Sequence, residues 1–249
     1  MIRNIKLEFF KIRHRKVYVS VFTIMVLTFL WGLFAQSHKP SDDFIREWMK
    51  LLYNFSIVNC IIMPILVAIV ASKIVDIEHK GNTFKLLNTF QGSKNLFHSK
   101  FICGIIIIFG AILIQGVSIF LISLINGYGN VPLSHFIYFL LYTTLINIVL
   151  LLIQIIFSFQ FANQMIAFVV AIAGSFLGLF SLFFGGIISK FMLWGYYGFL
   201  SPVSLEWNEV SRISTYHWNP IPILDLSILA ILLMILYILG QKLFKLKEE

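Results

Sequence analysis

Residues 72–101 read SKIVDIEHKGNTFKLLNTFQGSKNLFHSKF. This is a polar island of about thirty residues between two long apolar runs. It holds five lysines, Lys73, Lys80, Lys85, Lys94 and Lys100, which places it on the cytoplasmic side of a membrane. Asp76 and Glu78 open it, followed by His79, Lys80 and Gly81. Thr83 to Asn88 fits a short helix capped by Asn82. Phe84, Leu86, Leu87, Phe90, Leu96 and Phe97 are too many apolar groups for a solvated loop. They call for a groove on a partner or on the membrane surface.

The rest of the chain explains why that island stands out. Of 249 residues, 59% are hydrophobic and 12% charged, with a mean hydropathy of +0.91. A soluble domain is about 45–50% apolar and about 25% charged. The composition predicts one integral membrane domain over 1–249, with no soluble domain left over. Six apolar spans fit, at about 17–35, 54–72, 101–125, 136–157, 164–184 and 222–240. Each approaches the ~20 residues that cross a hydrocarbon core as a helix. The fold class expected is therefore an all-α integral membrane protein.

Charge orients the spans. Six cations precede the first span, five lie in the island, and Lys242, Lys245 and Lys247 follow the last span. The opposite face keeps Lys39, Arg46, Lys50, Lys190 and Arg212, three of them among Asp42, Asp43 and Glu47. Both termini are expected in the cytoplasm. The net charge of +8 thus reads as membrane flanking, and nucleic acid is not an expected partner. Residues 1–16 form an amphipathic elbow helix, with Ile2, Ile5, Phe9 and Ile12 facing the inner membrane surface. Val17 to Ala35 is too long for the apolar core of a signal peptide and reads as an uncleaved span. Residues 185–221, rich in glycine and aromatics, are expected to form one or two short helices that dip into the outer leaflet and return.

Several classes of chemistry lack their residues. No GxxxxGK[ST] phosphate loop occurs, so ATP would have to act through another chain. The six histidines are scattered, no metal or catalytic spacing appears, and no enzyme is expected. No ionisable residue lies deep in a span, which argues against an ion-coupled transporter. Gln115, Asn147 and Gln154 are expected to hydrogen-bond between helices. Cys60 and Cys103 lie toward opposite leaflets and are expected as two free thiols. Gly174 and Gly178 form a small-residue face that suits packing within the chain or against a second permease. All five tryptophans fall on the predicted outer side. Trp194, Trp207 and Trp218 are candidates for a surface that holds an amphiphilic ligand.

The island resembles the signature region of type-2 ABC exporter permeases: an acid, a Gly-Thr pair, a Leu-Leu pair and a lysine opening the next span. Glu78, Gly81, Thr83, Leu86, Leu87 and Lys100 match, with Asn82 separating Gly81 from Thr83. The elbow, the six spans and the broken segment between spans five and six are similar too. In size and loop length the chain looks most like the permeases that give lantibiotic producers self-immunity. The resemblance implies a separate ABC ATPase dimer carrying ATP and Mg, with no cofactor in this chain. It also implies a second related permease, as a heterodimer or homodimer, and the bacterial plasma membrane as its home. The ATPase would grip residues 73–100 around Glu78, Gly81, Thr83, Leu86 and Leu87. Glu78 is expected to bridge Arg13 or Arg15 of the elbow. The cargo would be an amphiphilic peptide, with a drug, lipid or antibiotic as the alternative. A non-transporting membrane sensor or scaffold is the alternative of a different class.

Overall fold

The computed structural model describes residues 2–36, 43–81, 83, 86–87, 90, 92–184, 186–208 and 212–246. Nine helices and one hairpin are described. They are α1 (Ile2–Ile12), α2 (Val17–Ala35), α3 (Phe44–Gly81), α4 (Ser93–Ile125), α5 (Leu133–Gln160), α6 (Met165–Phe184), α7 (Gly186–Phe191), α8 (Tyr196–Phe199) and α9 (Ile223–Leu246). The hairpin pairs β1 (Val203–Asn208) with β2 (Ile213–Trp218). Six helices, α2 to α6 and α9, are long and apolar enough to cross a membrane.

The spans predicted from hydropathy fall inside these helices, but two helices run well past them. At 1.5 Å per residue α3 is about 57 Å long and α4 about 50 Å, against ~30 Å of hydrocarbon. Most of 73–100 is therefore not loop. It is the end of α3 and the start of α4. Helix propagation costs little once a helix is packed, so the polar residues Lys73 to Lys80 simply continue the turn.

α3 is the central post, packed against α2, α4, α5 and α6. Its interior residues, from Leu51 and Phe55 through Met63, Val67 and Ile74, are fully buried. Inside the bundle, polar side chains pair across helices. Asn59 and Gln115 exchange two hydrogen bonds, at 2.7 and 3.3 Å, between α3 and α4. Ser56 and Tyr142 meet at 2.7 Å between α3 and α5, and Tyr197 donates to Asn147 at 3.0 Å. Such pairs hold helices together where burial in lipid supplies no hydrophobic drive. Gln154 departs from the expectation: its carboxamide is buried with no hydrogen-bond partner among the described residues. Cys60 and Cys103 are both buried and unpaired.

The elbow turns the other way from its sequence reading. Ile12 is fully buried, and Ile5 and Phe9 are half-buried against the protein. α1 packs on α4 and α3, so the stripe of Ile5, Phe9 and Ile12 faces the bundle. A 3-10 turn over Arg13–Arg15 and a left-handed Lys16 (φ 52°) then reverse the chain into α2.

Between spans five and six the structure places the short helices expected, α7 and α8, joined by a 3-10 turn at Leu193–Gly195. The continuation corrects the reading. Residues 203–218 form an antiparallel hairpin, with Val203 opposite Trp218 and Asn208 opposite Ile213. One ribbon face carries Val203, Leu205, Tyr216 and Trp218, all buried or half-buried. It lies over the first turns of α3, where Tyr53 meets Tyr216 edge-on at 5.8 Å and Arg46 donates to the Ser214 carbonyl at 3.1 Å. The other face exposes Glu206, Thr215 and His217.

Candidate functional site

Four ionised side chains meet where α1 crosses the ends of α3 and α4. Glu8 and Lys11 lie one turn apart on α1, Glu78 lies in the last turn of α3, and Lys100 lies two turns into α4. Glu8 Oε1 accepts from Lys11 Nζ at 2.7 Å, and Glu8 Oε2 accepts from Lys100 Nζ at 2.9 Å. Glu78 Oε1 accepts from Lys11 Nζ at 3.0 Å. Glu78 Oε2 closes the circuit 2.6 Å from Lys100 Nζ, as an ionic contact outside hydrogen-bond alignment. Each carboxylate thus touches both ammonium groups, and the signs alternate around a ring of zero net charge.

The ring is dry. Lys100 and Glu78 are fully buried and the Glu8 side chain is 1% exposed. A lone lysine here would cost several kcal/mol in lost hydration. Lys100 avoids that with two carboxylates and a further hydrogen bond to the Ile74 carbonyl at 2.9 Å. Burial pushes the Glu8 carboxyl up, but Lys100 and Lys11 outweigh it and hold it below the usual carboxylate range. Burial likewise pulls Lys11 down, and Glu8 and Glu78 outweigh it, so its ammonium is held above the usual lysine value. The Glu8 carboxylate and the Lys11 ammonium therefore both remain charged at neutral pH.

A second, wetter pair sits beside the ring. Asp76 forms ion pairs with Lys80 at 2.7 Å and with Arg15 at 3.6 Å. The expected bridge from Glu78 to Arg13 or Arg15 does not form. Glu78 points inward, one helical face away from Asp76, and its elbow cation is Lys11. Arg13 is exposed, and Arg15 goes to Asp76. Glu8 escaped the sequence reading, although it carries a signal: it is the only acid in residues 1–16, among six cations.

The chain leaves the ring through the Gly81–Thr83 corner. Thr83 N–H donates to the Glu78 carbonyl at 3.2 Å, closing the end of α3. The Thr83 carbonyl then accepts from Leu87 N–H at 2.8 Å, opening a new helical turn. Leu86 and Leu87 are helical, as expected, while Asn82, Phe84, Lys85 and Asn88 lie outside the described residues. The apolar residues of the island divide by role. Leu96 and Phe97 belong to the core, and Leu87 packs half-buried on it. Leu86, at 57% exposed, and Phe90, at 78%, project outward at helical spacing.

At the other end the three candidate tryptophans part company. Trp194 packs its ring over Gly174, and its backbone crosses Gly178 so closely that a Cβ there would lie 2.5 Å from the Trp194 carbonyl carbon. The small-residue face of α6 is therefore filled from within the chain. Trp218 stacks on His135 at 3.8 Å at the base of the hairpin. Trp207 stands four residues further out on the same ribbon face and is 56% exposed. A cleft of about 380 Å³ opens instead between α2, α3 and α6, lined by Trp31, Tyr53, Asn54, Leu179, Leu182 and Phe183 among others.

No curated protein and no solved structure matches the chain. A family model described as ABC-2 family transporter protein matches residues 4–178, a stretch that takes in the elbow, both acids and both lysines of the ring, and the first five spans up to Gly178. The match covers most of a chain with six helices long and apolar enough to cross a membrane, so this is a membrane component of that kind, and the chain belongs to the ABC-2 transporter family.

Proposed function

We propose that this chain is the permease subunit of an ATP-driven exporter that removes an amphiphilic antimicrobial peptide, of the lantibiotic kind, from the membrane of the cell that makes it. The observation that carries the energy-coupling half is the ring. It ties the elbow, the end of α3 and the start of α4 into one charge-locked unit beside the exposed Leu86 and Phe90. In this reading the elbow end lies in the cytoplasm of a bacterial cell. A separate ABC ATPase dimer, which holds ATP and Mg, seats Leu86 and Phe90 in an apolar groove. Its closure moves Thr83 to Leu87, and the ring passes that movement to α1 and α3 as a rigid lever.

A second, related permease stands alongside as a heterodimer or homodimer. The peptide enters from the outer leaflet. The cleft between α2, α3 and α6 suits it because Trp31 and Tyr53 offer aromatic faces and Asn54 offers a polar group. The same lining suits a drug, a lipid or another antibiotic as the alternative cargo.

The test is a mild-detergent pull-down of the tagged full-length chain from its native membrane, followed by mass spectrometry. A soluble ATPase should come with it, together with a second six-span permease. Leu86→Asp/Phe90→Asp should lose the ATPase while the permease still folds, since both side chains are exposed. Recovery of no ATPase from the wild type under several detergents would overturn the exporter and favour a sensor or scaffold. Nucleotide-dependent protection against lantibiotic, compared with a drug, then decides the cargo.

A further inference from the structure

The acids at the elbow end are fully committed. Among the described residues there, Glu8 and Glu78 are held in the ring and Asp76 is shared by Lys80 and Arg15. Arg3, Lys6, Arg13 and Lys16 are exposed, and none pairs with a carboxylate among the described residues. Lys73 stands beside them with neutral oxygens for company: the Ser20 hydroxyl at 2.6 Å and the Lys16 carbonyl at 3.5 Å.

These cations are not scattered. On α1 the outward stripe runs Arg3, Lys6, Leu7, Phe10, at the spacing of one helical face. Leu7 is 40% exposed and Phe10 is 65% exposed. Arg13 and Lys16 extend the stripe through the elbow to the start of α2. The face thus alternates positive charge with large apolar groups, on a helix docked beside the ends of membrane spans. Water would favour the cations and not Phe10, and an acidic soluble surface would leave Leu7 and Phe10 unused. An anionic phospholipid monolayer meets both demands, with phosphates for the cations and the acyl boundary for the two apolar side chains.

We infer that Arg3, Lys6, Arg13, Lys16 and Lys73 form a binding site for anionic phospholipid headgroups, with Leu7 and Phe10 seated among the acyl chains. The same helix holds Glu8 and Lys11 in the ring, so the lipid fixes the position from which the ring acts.

The full-length protein is reconstituted in equimolar phosphatidylglycerol and phosphatidylcholine and re-extracted in maltoside. After washing at low salt, bound lipid is quantified by mass spectrometry. The wild type should retain phosphatidylglycerol over phosphatidylcholine by about tenfold. Arg3→Gln/Lys6→Gln/Arg13→Gln/Lys16→Gln should bring the ratio close to parity, and Lys6→Arg/Lys16→Arg should keep it. Should the Gln variant fail to fold, the wild type is washed in about 1 M salt, where screening must abolish the preference. Equal retention of the two lipids by the wild type overturns the site and leaves an acidic protein surface as the partner. A preference that survives in a folded Gln variant, or in the high-salt wash, overturns it as well.

Discussion

Lys100 is the residue on which the elbow end depends most. It is fully buried and touches both carboxylates of the ring. Lys100→Met should cost about 3–5 kcal/mol, because it leaves two acids sharing Lys11 alone. Lys100→Met/Glu78→Met should recover much of that loss, since the Glu8–Lys11 pair remains neutral as a unit. Thermal melting of the purified protein reads both, and a single variant as stable as the double would refute the ring. The acid and alkaline limits follow from the shifts. Glu8 has a lowered carboxyl, so its contribution is present above about pH 4.3 and is lost as pH falls through its folded value. Lys11 is raised, so its contribution is present below about pH 10.4 and is lost as pH rises through its folded value. The contribution of this pair should be flat between these limits, and Glu8→Gln should blunt the acid limb. At this scale the sequence was half legible. Glu78 and Lys100 stand out as charges beside apolar spans. Their link to Glu8 joins residues 92 positions apart, and no local pattern encodes that.

Among the elements, α6 and the segment it carries are set by two missing methyl groups. Gly178→Ala places a Cβ against the Trp194 backbone. It should cost about 1–3 kcal/mol through overpacking and should shift tryptophan emission as the indole moves. Unchanged melting and emission would mean that the 3-10 turn sits elsewhere. The spacing of Gly174 and Gly178 announced a close approach, but not by which partner. The hairpin was legible and was obscured by its surroundings. Val203-Ser-Leu-Glu-Trp-Asn alternates apolar and polar side chains, the period of a half-buried strand. The glycine and aromatic run just before it suggested helices throughout. The elbow shows a different limit: periodicity gave the apolar face correctly, while only packing could say that this face meets protein.

For the whole molecule, the direction of insertion is the property to measure first. Lys94, at the start of α4, and Thr215, on the hairpin, lie at opposite ends of the bundle. In intact cells a membrane-impermeant maleimide should label Thr215→Cys and leave Lys94→Cys unlabelled until the cells are opened. Cys60 and Cys103 are buried and should give little background. The reverse pattern would invert the assignment of ends. The spans themselves were the most legible part, because twenty apolar residues in lipid have few alternatives to a helix. Their overhangs were not, since hydropathy falls silent where the helix leaves the bilayer. One of those overhanging helices joins the two surfaces directly. α3 has Glu78 in the ring at one end, Arg46 and Tyr53 under the hairpin at the other, and Pro64 near its midpoint. Proline removes one hydrogen bond from the helix there. α3 is built like a balance beam whose fulcrum is Pro64. A swing of about 5° moves each tip by roughly 2.5 Å in opposite senses, close to the length of a hydrogen bond. A displacement of that size imposed on one surface would therefore make or break a contact beneath the hairpin on the other.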